Sequence, residues 1–221
     1  VERFEKIKND QRIIELYKKI AEFEELNKGM AHHHLEHVNN VANLVEAVLS
    51  KLNYDENFIE EAKIAALLHD TGAIEGKKDH ALRSYQFAKV YLEEQKINLK
   101  NKDLVLEAIK IHSDGFQSDN IMALTLILCD KLDIKWTRLA KAGYHEIGVR
   151  QLQYIKDITV EIQNSQLEIN FLCDNSLNKT ELEEVYFILK AFKGIRAFSK
   201  KMNLQPKVLL NNEEWELFEN H

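Results

Sequence analysis

Apolar residues recur every three or four positions along almost all of this chain, a period that helices satisfy and strands do not. Ile13, Leu16, Tyr17, Ile20 and Phe23 share one face of a helix predicted over Asp10–Asn27. Val38, Val41, Ala42, Val45, Val48, Leu49 and Leu52 share a face over Leu35–Leu52. The same spacing predicts helices over Asp55–Thr71, Asp79–Gln95, Asn101–His112 and Asp119–Ala142, with Asp55, Asn101 and Asp119 as caps and Gly72 just past a helix end. One proline and seven glycines leave few sharp turns to interrupt them.

The period changes once. In "ITVEIQNSQLEINFLC", Ile158, Val160 and Ile162 alternate with polar residues, and so do Leu167, Ile169 and Phe171, which predicts a β-hairpin turning near Asn164-Ser165. A long helix then resumes from Thr180 to about Met202, and "NNEEWELF" suggests a short terminal one. The expected fold class is therefore mainly α (all-α with a small C-terminal β-hairpin and additional helices). We expect a single domain over 1–221, with a core over about 31–135 and an appendage over about 155–221.

Composition narrows the function. A net charge of −6 argues against nucleic acid or an anionic membrane as the main partner. Two cysteines, Cys129 and Cys173, lie in apolar contexts with no C-x-x-C, which fits a reducing compartment better than a disulfide framework. "VERFEKIKND" is too polar for a signal peptide, and no apolar run is long enough to span a bilayer, so the expected localisation is cytoplasmic.

The polar residues on apolar faces carry the chemistry. His69 lies at the end of the Ala62, Ala65, Ala66 row, followed directly by Asp70. His37 shares a stripe with Val41, Leu44 and Val48; His112 follows Val105, Ala108 and Ile109; Asp130 follows Ala123, Leu126 and Ile127. His80 opens a helix whose inner face continues through Ser84, Phe87, Ala88 and Tyr91. One buried histidine is ordinary, but several ionisable groups from separate helices are costly to bury together unless they share a cation. Imidazole and carboxylate ligands suit Mn, Fe, Co, Ni or Zn more than Ca, and no cysteine is placed for a structural zinc.

His37, His69-Asp70 and Asp130 resemble the H…HD…D signature of the HD-domain metal-dependent phosphohydrolase superfamily. The contexts agree: "HVNNVA" has the H-x-x-x-V-A form, "AALLHDTG" is similar to the motif core, and "LILCDKLD" resembles the segment carrying the last aspartate. The resemblance covers roughly Ala31 to Lys135. It implies a helical bundle around one or two divalent ions, with His37, His69, Asp70 and Asp130 binding the first. His80 and His112 fall where relatives with two ions carry extra histidines, and Asp70 would then bridge. The resemblance assigns the catalytic role to His69 and Asp70. The implied activity is hydrolysis of a small phosphate ester, a nucleotide among the candidates, by metal-activated water. A di-iron oxygenase on the same scaffold and a non-catalytic metal-binding sensor or interaction module are the alternatives.

Ala73 stands where many relatives carry a Glu or Lys, which leaves the general acid unassigned and Glu75, Lys77 or Lys78 as substitutes from the loop. Lys131 is expected to be a solvated surface lysine, with a phosphate contact as the alternative. His32–His34 are expected to form a polar helix start, a supporting role for His33 or His34 being the other option. The hairpin and last helices either cover the pocket or build a homodimer.

Overall fold

The computed structural model describes residues 2–220. The helices of the core are α1 (Glu2–Lys8), α2 (Gln11–Leu26), α3 (Leu35–Lys51), α4 (Glu56–Leu68), α5 (His80–Glu94), α6 (Lys102–Ile111) and α7 (Ile121–Leu132). Caps explain several boundaries: Asp10 accepts from the Arg12 amide and Asp55 from the Phe58 amide, satisfying donors that a helix start leaves free. The apolar stripes meet in one core that runs from Phe4 and Ile7 through Val45, Ala65 and Leu128 to Phe198 and Trp215.

Glu61 lies fully buried in this core with its carboxylate partnered. Its carboxylate accepts from the Lys100 and Asn101 amides and the Asn101 side chain, and Arg3 pairs with it at 3.2 Å. Every lone pair it brings out of water is thus matched, which is the condition for burying a charge.

Four expectations change. The helix predicted over Asp119–Ala142 spans only Ile121–Leu132, because Asn120, not Asp119, caps it through the Met122 and Ala123 amides. Beyond it the chain breaks into 3-10 turns at Trp136–Arg138, Lys141–His145 and Val149–Tyr154. There Ala31 and Leu139 form an isolated bridge, Ala140 donates to the Met30 carbonyl, and a continued helix could not make those bonds. Asn101 makes no side-chain cap; its amide groups serve Glu61 instead. The helix expected from Thr180 divides into α8 (Lys179–Glu183) and α9 (Tyr186–Met202), since Val185 is extended.

The hairpin is present as β1 (Ile155–Gln163) and β2 (Gln166–Cys173), with Val160 opposite Ile169 and both turn residues, Asn164 and Ser165, at positive φ. That geometry matches the right-handed twist of the strands. It is part of a larger sheet in the order β1-β2-β3-β4, where β3 (Gln205–Leu210) pairs parallel to β2 and β4 (Glu213–Glu214) antiparallel to β3. A short α10 (Glu216–Glu219) follows. The parallel pairing needs a long crossover, which α8 and α9 supply. α9 lies on α7, with Gly194 beside Ile127 and Leu128. Among the described residues, no helix is long and apolar enough to cross a membrane.

Candidate metal centre

Five helices bring their ends to one point. His69 is the C-cap of α4 and His112 the C-cap of α6; Asp130 sits in the last turn of α7; His37 lies near the start of α3 and His80 opens α5. Helix C-termini present unpaired carbonyls and partial negative charge, so α4, α6 and α7 all favour a cation where they meet.

Local bonds then orient the rings. Nδ1 of His69 donates to the Ala66 carbonyl at 2.7 Å, that of His80 to Lys77 at 2.8 Å and that of His112 to Ile109 at 2.8 Å. A carbonyl only accepts, so each Nδ1 carries the hydrogen and each neutral ring turns its Nε2 lone pair inward. His37 reaches the same state differently, donating from Nδ1 to the Asp133 carboxylate at 2.7 Å. Arg138 contacts both members of that pair.

The inward atoms form two groups. His37 Nε2 lies 3.5 Å from Asp70 Oδ2 and 3.2 Å from Asp130 Oδ1; His69 Nε2 lies 3.4 and 3.6 Å from the same oxygens. On the other side of Asp70, Oδ1 is 3.2 Å from His80 Nε2 and 3.7 Å from His112 Nε2, and those two nitrogens are 2.9 Å apart. Ligands at about 2.1 Å from a divalent ion stand about 3.0–3.4 Å from one another; the first group, at 3.2–3.6 Å, and the second, at 2.9–3.7 Å, lie within a few tenths of an ångström of that spacing. His37 Nε2, His69 Nε2 and Asp70 Oδ2 are buried without a hydrogen-bond partner. Buried polar atoms left unpaired are expensive, and two lone pairs facing each other at His80 and His112 are worse. A cation in each group relieves both costs, so the residues fit a divalent ion in either.

The charges agree. Burial would raise the Asp70 carboxyl, but Lys77 and His69 outweigh it and hold it well below its usual range. Burial likewise opposes ionisation of Asp130, and Lys131 with His37 outweighs it. Burial keeps His112 well below the ordinary imidazole range, leaving it a neutral ligand. His37 and His69 go the other way: burial and Arg138 lower His37, but Asp130 and Asp133 raise it, and burial lowers His69, but Asp70 and then Asp130 carry it up to about 9.

That shift has a consequence for the metal-free protein. A histidine raised from 6.5 to about 9 stabilises the fold fully below pH 6.5 and loses that contribution as pH climbs toward 9. Metal requires the deprotonated ring, so its effect runs the other way. Melting followed by circular dichroism is expected to show chelator-treated protein weakening from pH 6.5 to 9, and the gain on adding Mn²⁺ widening over the same interval. A metal-induced gain that shrinks toward pH 9 would contradict this.

All of the sequence-predicted ligands, His37, His69, Asp70, His80, His112 and Asp130, converge. Two expectations beside them need correcting. Lys131 is not a solvated lysine: its Nζ lies 2.6 Å from Asp130 Oδ2 with the side chain 17% exposed. The histidine triplet is more than a polar helix start: His34 makes no side-chain cap, while His33 bonds Glu24 and sits edge-on to His37, ring centres 5.9 Å apart. Asp133 and Arg138 were not anticipated. Asp133 had a usable signal, lying three residues after Asp130 in a helical register; Arg138 falls in a 3-10 turn where no periodicity marks it. Replacing Asp133 by alanine frees the His37 ring to rotate and is expected to weaken metal binding about 10–100-fold, measured by titration with Mn²⁺.

A helical bundle whose buried axis carries a His/Asp cluster able to hold divalent metal is the class that fold and site define. Residues 34–135, a little under half of the chain and the stretch that holds every one of these ligands, match the family model described as the HD domain, a family that binds divalent metals. No curated protein matches the chain in sequence.

Proposed function

We propose that the chain is a metal-dependent phosphohydrolase acting on a small phosphate ester, nucleotides among the candidates. The observation that carries this reading is the division of Asp70, with Oδ2 toward His37 and His69 and Oδ1 toward His80 and His112. Divalent ions held there would make a water nucleophilic near neutral pH and offset charge developing on phosphoryl oxygens.

The chain's own groups suit an anionic substrate. Lys77 and Lys131 approach the ligand carboxylates from the rim, and Arg138 adds a third cation next to His37. Glu24 and His33 form a half-buried hydrogen-bonded pair beside His37. Burial and then Lys77 keep the His33 ring well below the usual imidazole range.

The test is turnover of nucleotides and generic phosphoesters by purified protein with Mn²⁺ or Co²⁺; robust hydrolysis that survives Asp70→Ala would sink the mechanism. The same six ligands also suit an iron pair reacting with dioxygen. Anaerobic iron loading followed by spectroscopy separates the two readings, and the cationic rim favours the phosphoester.

A further inference from the structure

Lys77 occupies a position that the ligand set alone does not explain. Its Nζ lies 3.0 Å from Asp70 Oδ1, the oxygen that also faces His80 and His112. Its carbonyl holds His80 Nδ1. One residue therefore orients a ligand of the second group with its backbone and neutralises the shared ligand with its side chain. The surrounding loop is preset for this. Gly76 and Asp79 flank it at positive φ, and Arg83 clamps it by donating to the carbonyls of Gly72, Gly76 and Lys78. The side chain is 45% exposed, so it is free to swing outward without disturbing the core.

Resting on the phosphohydrolase reading, we propose that Lys77 is a gate on the second ion position: its ammonium neutralises Asp70 Oδ1 until a divalent ion takes that oxygen, and the displaced lysine then grips the phosphoryl group. Two like charges drawn to one carboxylate oxygen at such a distance repel, so ion and ammonium compete. Once released, the ammonium is a mobile point charge at the rim, which suits a phosphate oxygen. It places a positive charge that Ala73, buried under the loop, has no means to provide.

The test uses Mn²⁺ alone and then inorganic phosphate, by calorimetric titration of wild type, Lys77→Met and Lys77→Arg. Lys77→Met is expected to bind the second ion about tenfold more tightly than wild type, because the competitor is gone, and phosphate about tenfold more weakly once both ions are in place. Lys77→Arg retains the charge and is expected to behave like wild type in the first titration. Circular dichroism melts check that each variant is folded. The proposal is overturned if Lys77→Met binds the second ion no more tightly, if its phosphate affinity is unchanged, or if wild type and Lys77→Met both take up one ion only. In those cases the phosphohydrolase reading stands or falls by its own assay; a wild type that binds no ion at all sinks that reading as well.

Discussion

If the chain hydrolyses phosphoesters as proposed, Asp70→Asn is expected to cut that turnover about 1000-fold or more while the protein stays folded. The asparagine has the same shape, so the packing at the end of α4 is kept. What changes is charge and donor pattern. Asp70 is the shared member of both ligand groups, with one oxygen 3.5 Å from His37 Nε2 and the other 3.2 Å from His80 Nε2. An amide offers one neutral oxygen and one NH₂ group, so one group loses its anionic ligand and gains a donor facing the ion. Lys77 loses the carboxylate it neutralises, which raises positive charge where a cation should bind. Steady-state hydrolysis with Mn²⁺ and metal content by elemental analysis measure the two effects. A variant retaining a tenth of wild-type turnover would show that Asp70 is not at the reacting centre.

Gly72→Ala is expected to destabilise the protein by about 3 kcal/mol, a large fraction of a typical domain's stability. A Cβ at Gly72 would meet the His80 carbonyl oxygen at 2.3 Å and the Ser84 amide nitrogen at 2.5 Å. Both are backbone atoms of α5 and cannot rotate away. The 3-10 turn Thr71–Glu75 must therefore separate from α5, breaking the bond from the Gly72 amide to Ser84 Oγ at 2.8 Å. His80 moves with the helix, so weaker uptake of a second ion is expected alongside the lower melting temperature. Gly194 on α9 is the control. Its nearest neighbours stand 3.7–3.9 Å from a Cβ, and alanine there removes a helix-interior glycine, so Gly194→Ala is expected to be neutral or to stabilise by up to about 1 kcal/mol. Denaturant unfolding of the two variants side by side measures the contrast; equal stabilities would refute the account of Gly72.

The two glycines show where periodicity is informative and where it stops. Gly72 marks a helix end in the sequence, and α4 does end at Leu68. The need for glycine comes instead from a backbone contact with a helix that starts eight residues on, which no local pattern encodes. The sheet repeats the lesson. Alternation disclosed β1 and β2, but β3 carries only six residues and pairs parallel to β2 across α8 and α9, a contact between segments far apart in the chain. Asn120 displaced Asp119 as a cap because adjacent cap-forming residues look alike until the chain direction is known, and Asp119 instead meets Lys201 at 3.1 Å.

The chain's order of residues by itself determined α2 to α6, the hairpin and the set of inward-facing imidazoles and carboxylates, because a side chain's face on a helix follows from its spacing to apolar neighbours. Only the tertiary structure decided how those groups divide around Asp70, that Asp133 and Arg138 stand behind His37, and that Lys77 lies against the shared oxygen. The first two depend on the angle and depth at which separate helix ends meet, set by packing between residues tens of positions apart, and the third on the path of the loop between α4 and α5.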